Sequence, residues 1–134
     1  MEGHASRPRI HHVQVAIPPA GEEQARRFYG RLLGLADVPK PPPLQARGGV
    51  WFATGNVQLH LGVDPAFQPA RKAHVALEVR GLAALRARLE EAGHPTTEDE
   101  PLPGYRRCYV ADPFGNRTEL LEPDTDGDDR STAP

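Results

Sequence analysis

Hydrophobic and polar positions alternate over residues 9–17, with Val13, Val15 and Ile17 on one side and His12, Gln14 and Ala16 on the other. A period of two predicts a half-buried strand, and Pro18-Pro19 ends it. The period then lengthens. Ala25, Phe28, Tyr29, Leu32 and Leu33 recur at helical spacing, which predicts a helix over 21–33 with Glu22 and Glu23 in its first turn and Gly34 closing it. The run Pro39-Lys40-Pro41-Pro42-Pro43 has too few backbone donors for a central strand and predicts a loop or an irregular edge. Residues 49–53 and 57–62 read as a hairpin. A two-residue Thr54-Gly55 turn would set Ala53 opposite Asn56 and Trp51 opposite Gln58.

The pattern then repeats. After a joint at Pro65–Pro69, Val75, Leu77 and Val79 alternate with His74, Ala76 and Glu78 over residues 72–80. Leu82, Leu85 and Leu89 form an apolar stripe over 81–92, closed by Gly93. Residues 105–111 and 117–122 read as a hairpin around Asp112-Pro113-Phe114-Gly115-Asn116, which places Tyr109 opposite Glu119 and Arg107 opposite Leu121. Each half is thus a strand, a helix, then two or three strands, an α+β organisation. The expected division is a flexible start (1–8), one domain of two modules (9–64 and 71–122) that share a core, and a disordered acidic tail (123–134).

The repeat carries the chemistry. His12 and His74 lie 62 residues apart, and Gln58 and Glu119 lie 61 apart. Each half therefore offers a histidine near its start and an amide or carboxylate near its end, both on the polar face. A solvated sheet face explains any one of these residues, but it gives no reason to place histidine at the same internal point twice. Four candidate metal ligands follow: His12, Gln58, His74 and Glu119. His60 shares the face of Gln58 and is its rival as ligand, or a base. Trp51, Arg107 and Tyr109 fall on the same faces and are candidate substrate contacts, Arg107 for an anionic group. His4, His11 and His94 are read as structural or exposed.

Composition narrows the class. A net charge of −2 supplies no basic field for nucleic acid. No apolar run approaches the ~20 residues that span a bilayer, and residues 1–8 contain no apolar stretch of a leader. The single Cys108 rules out an intrachain disulfide, points to a reducing cytoplasm, and reads as a small buried apolar residue. Two imidazoles, a carboxylate and an amide oxygen make a mixed nitrogen–oxygen site suited to Zn, Mn, Fe, Co or Ni. A homodimer is expected, because half-open sheets of this size leave edges that two-fold pairing would cover.

Four segments resemble the glyoxalase/bleomycin-resistance/extradiol-dioxygenase superfamily, the vicinal oxygen chelate fold. They are Ile10-His11-His12-Val13, Phe28-Tyr29-Gly30-Arg31-Leu32-Leu33-Gly34-Leu35, Ala73-His74-Val75-Ala76-Leu77 and Asp112-Pro113-Phe114-Gly115-Asn116-Arg117-Thr118-Glu119-Leu120. The resemblance covers about residues 9–122. It implies tandem βαβββ modules whose curled mixed sheets surround a central cavity, with His12, His74 and Glu119 as metal ligands and Gln58 in the fourth place. It also implies a small oxygenated substrate that chelates the metal, and lyase or isomerase chemistry through an enediolate with Glu119 or His60 as base. Glutamine in the fourth place departs from typical glyoxalase I. An extradiol-type Fe(II) dioxygenase and a metal-free, bleomycin-resistance-like drug-binding protein are the alternatives. The superfamily pairs its modules either within one chain or across a dimer.

Overall fold

Period-two segments become strands and period-three-to-four segments become helices in the computed structural model, which describes residues 6–124. The first four strands are β1 (Val13–Ile17), β2 (Asp37–Val38), β3 (Val50–Thr54) and β4 (Val57–Val63). The second four are β5 (Val75–Glu78), β6 (Thr96–Thr97), β7 (Tyr105–Ala111) and β8 (Arg117–Pro123). They form two mixed sheets of order β1-β4-β3-β2 and β5-β8-β7-β6. In each, the first strand runs parallel to the last and the other pairings are antiparallel. The same βαβββ unit is thus built twice, and neither sheet closes.

The apolar rows face a common core. Ile17, Phe52, Leu59 and Leu61 come from the first sheet, Leu77, Cys108, Val110 and Leu120 from the second, and Phe28, Tyr29 and Leu89 from the helices between them. Cys108 is fully buried, as its alternation predicts, and burial raises its thiol above the ordinary range. The first helix begins as α1 (Glu22–Ala25) and continues as a π-helical stretch, Arg26–Leu32, before Gly34 closes it at positive φ. Its wider turns bring Phe28 and Tyr29 into the core together, where their rings meet edge to face. The second long helix, α3 (Leu82–Glu91), buries Leu82, Leu85 and Leu89. Glu122 of β8 accepts from the backbone N–H groups of Gly81 and Leu82. These backbone bonds and Arg106 hold its carboxyl below the usual range.

Several expectations are corrected. Between β3 and β4 the turn is Gly55-Asn56, so Trp51 pairs with His60 and Ala53 with Gln58. The slip is two residues, which preserves the face and changes the neighbour. β1 starts at Val13 and β5 at Val75, so His12 and His74 stand just ahead of their strands. Val13 is 38% exposed and Ile10 86%, so this end of the apolar row lies outside the core. The proline run ends in a helical turn, α2 (Pro42–Gln45), where proline at the first position lacks only a donor that the helix does not use. β8 runs to Pro123, the first residue of the expected tail. His4 and the stretches 1–5 and 125–134 lie outside the described residues.

Before β3 the chain passes very close to β4. Gly49 has φ +92°, and a Cβ there would stand 2.2 Å from the carbonyl oxygen of Leu61. Its N–H donates to the carboxylate of Glu22, the main cause that holds that group below the usual range. Gly49→Ala is therefore expected to cost about 2–4 kcal/mol through strain and clash. Chemical denaturation would measure this, and a loss under about 0.5 kcal/mol would show that the loop yields freely.

Candidate functional site

Strand register sorts the polar residues into two groups. In the first sheet, Gln14 and Trp51 both pair with His60, and Ala53 pairs with Gln58. Gln14, Trp51, Gln58 and His60 therefore share the face away from the core. His60 lies between two rings, with Trp51 stacked at 3.9 Å and 5° and His12 at 4.2 Å and 16°. His11 is exposed, as expected, yet its Nδ1 meets that of His12 at 3.0 Å, one ring donating to the other. A cavity of about 530 Å³ runs over this face, lined by His11, His12, Gln14, Lys40, Arg47, Trp51, Gln58 and His60 among others. His60 is only 7% exposed. Burial, and then the nearby His12, His11 and Lys40, lower its pKa, so its imidazole resists protonation.

In the second sheet, Tyr109 pairs with Glu119, Arg107 with Leu121 and Ala111 with Arg117, as the Asp112–Asn116 turn predicts. Glu119 is the hub. Its Oε1 lies 2.9 Å from His74 Nε2, and its Oε2 accepts from Arg107 at 3.2 Å. His74 Nδ1 lies 2.9 Å from the carbonyl oxygen of Lys72. Arg107 also donates to the Tyr109 hydroxyl at 2.9 Å and twice to the Glu100 carbonyl, at 2.9 and 2.7 Å. Its side chain is 16% exposed. With those donors spent inside the protein, Arg107 is placed to hold Glu119 rather than to grip a substrate anion. Arg117, two residues before Glu119 on the same face, escaped the sequence reading. Its guanidinium lies 3.8 Å over the ring of Tyr109. The alternation that marks Glu119 also marks Arg117.

The structure brings His12, Gln58, His60 and Trp51 together on one sheet and His74, Glu119, Arg107 and Tyr109 on the other. Among the described residues it does not gather His12, His74 and Glu119 into one cluster within a chain. Among the described residues, no three His, Cys, Asp or Glu side chains are grouped to hold a metal ion. The first sheet's cavity is lined by none of the second group. His94, read as structural, packs edge to face on Phe28 and also lines a cavity of its own.

Comparison with known proteins agrees with this architecture. Residues 14–121 match the family described as a glyoxalase-like domain. A glyoxalase family protein from Bacillus anthracis is 42% identical, with TM-score 0.84 over 91% of this chain and 100% of that one. TnmS3, an antibiotic binding protein from Streptomyces sp. CB03234, is 25% identical with TM-score 0.67, covering 88% of this chain and 100% of that one. Lactoylglutathione lyase from Agrobacterium tumefaciens shares the fold at 21% identity and TM-score 0.63, covering 87% of this chain and 96% of that one. No curated protein matches the chain. No helix among the described residues is long and apolar enough to cross a membrane.

Trp51 is the one tryptophan of the chain, so its fluorescence reports on the ring stacked against it. Protonation of His60 should quench it, with a midpoint below the ordinary histidine value of about 6.5. The same depression makes His60 favour folding above the unfolded-state pKa, and that contribution is lost as pH falls through the folded pKa. His60→Gln should remove the fluorescence transition. A transition unchanged in that variant would show that His60 is not its source.

Proposed function

Because the chain belongs to the glyoxalase-like domain family, within the vicinal oxygen chelate superfamily, we propose that it is a divalent-metal-dependent enzyme. Its substrate in this reading is a small oxygenated molecule that chelates the ion, and its chemistry is of the lyase or isomerase type. The observation that carries the reading is the contact between His74 and Glu119. If His74 Nδ1–H donates to the Lys72 carbonyl, Nε2 presents a lone pair to a carboxylate oxygen 2.9 Å away. Two acceptors so close require a proton or a cation between them. A separation of that size also suits neighbouring ligands on one ion with bonds of ~2.0–2.2 Å. The carbonyl behind Nδ1 and the guanidinium behind Oε2 are the outer contacts that orient such ligands.

His12 and Gln58 are exposed on the first sheet, and among the described residues β1 and β5 are each unpaired along one edge. We therefore assign the complete site to a homodimer, with His74 and Glu119 from one copy and His12 and Gln58 from the other. Burying Ile10 and Val13 would accompany the pairing. Bound there, a divalent ion of the Zn, Mn, Fe, Co or Ni group supplies Lewis-acid polarisation of a substrate oxygen. His60, neutral at pH 7, accepts a proton at its imidazole nitrogen. Glu119 is the rival base, and Arg107 holds it in place. Trp51 and Tyr109 bound the substrate.

A second reading has its own support. The flat Trp51–His60–His12 stack suits an aromatic ligand, and Arg107 and His74 can satisfy Glu119 without an ion. That describes a metal-free drug-binding protein.

Metal analysis and titration with each ion separate the two readings. His74→Ala is expected to weaken binding about 100-fold or more, while Gln58→Glu should retain it. Mixing His12→Ala with His74→Ala protein tests the shared site. Heterodimers recover one intact site, so about a quarter of the sites should return at statistical mixing. A monomer in sedimentation, or no recovery on mixing, would overturn the shared site. Indifference of ligand binding to metal and to His74→Ala would establish the metal-free reading.

A further inference from the structure

Beyond Tyr109, at the end of the second sheet, lies a cavity of about 790 Å³ that contains none of the expected metal ligands. Arg71, His94, Thr97, Tyr109 and Arg117 supply its polar lining. Arg117 is the notable member. The face of its guanidinium is spent on the Tyr109 ring, at 3.8 Å. Stacking uses a guanidinium's faces and leaves the N–H groups along its edge free to donate. Among the described residues, no ion pair or side-chain hydrogen bond occupies that edge, in contrast to Arg26, Arg86 and Arg107. Arg71 stands exposed on the same cavity, also without an ion pair among the described residues.

The one carboxylate in the lining is turned inward. Asp112 Oδ1 accepts from the N–H groups of Phe114 and Asn116. Its Oδ2 accepts from the Tyr29 hydroxyl at 2.6 Å and the Asn116 amide at 2.9 Å. The residue is 4% exposed, so its lone pairs are consumed in the protein. The cavity therefore presents two guanidinium groups with no carboxylate left to neutralise them.

We infer that this cavity is an anion subsite, in which Arg117 with Arg71 beside it grips a carboxylate or phosphoryl group of a ligand. A guanidinium edge matches either group with two parallel hydrogen bonds. The Tyr109 ring that supports Arg117 also meets His74 edge to face at 5.5 Å. An anion held on Arg117 thus places the rest of its molecule beside the His74–Glu119 pair. Recognition of the anion itself does not depend on a metal.

The test is an NMR titration with inorganic phosphate and, separately, with acetate, at constant ionic strength in chloride. The Arg117 Nε–H signal and the amides of Gly115 to Arg117 should shift and saturate with one of the two. Phosphate alone would identify a tetrahedral oxyanion and acetate alone a carboxylate. Arg117→Gln should weaken saturation about tenfold or more. Arg86→Gln should leave it unchanged, because Arg86 is committed to Thr96 and Glu98. If Arg117→Gln fails to fold, Arg71→Ala serves instead, with weakening of severalfold expected. Shifts that never saturate, that spread equally over all arginines, or that survive Arg117→Gln in a folded protein would overturn the subsite. A protein that binds no metal and still saturates at Arg117 upholds it and counts against the preceding reading. Intact metal binding with no saturable anion shift overturns the subsite alone.

Discussion

One buried carboxylate fixes how the two halves of the chain meet. Asp112 receives the Tyr29 hydroxyl from the first helix and the Asn116 amide from its own turn. Asn116 donates in turn to the Ala16 carbonyl of β1 and accepts from the Ala70 N–H of the joint between the sheets. Three separate segments are thereby tied to one turn. Each polar atom in the knot has a partner, which is what makes the burial tolerable; removing the carboxylate would orphan several donors at once. Burial, followed by the charge of Asp112, raises Tyr29 well above its ordinary pKa, so the phenol stays a donor. The turn also sets where β8 begins, and so puts Arg117 and Glu119 on the face opposite the core.

Much of this was legible in the sequence because it rests on local periodicity. Alternation gave the faces of β3, β4, β7 and β8, and the Asp112–Asn116 turn gave the pairing of Tyr109 with Glu119. The first hairpin was harder. Thr54-Gly55 and Gly55-Asn56 are both plausible two-residue turns, and alternation survives either, so the face was readable while the neighbour was not. The π-helical stretch was illegible for a related reason, since Phe28 and Tyr29 are apolar on any helix and only packing selects the wider turn. The same limit hid the commitment of Arg107. A sequence shows that an arginine shares a face with a carboxylate, but not that the Glu100 carbonyl and the Tyr109 hydroxyl also claim its donors.

Duplication has left two faces with the same geometry and different electrostatics. The first sheet's cavity is lined by Lys40, Arg47 and three histidines, with no carboxylate in its lining. The second sheet contributes Glu119, held from one side by Arg107 and facing His74 on the other. A cation is therefore poorly served by the first face alone, where Lys40 and Arg47 would oppose it and only neutral imidazole and amide donors attract it. Glu119 supplies the missing negative charge, and in the site proposed here it arrives on a second copy of the chain. Lys40 donates to the Gly48 carbonyl, which fixes its ammonium near the ring stack instead of letting it swing into solvent. That fixed charge works in the same direction as burial on His60. The first face is thus built to keep an imidazole neutral, and the second to keep a carboxylate in place, so that bringing them together joins a proton acceptor to an anionic ligand that neither sheet provides by itself.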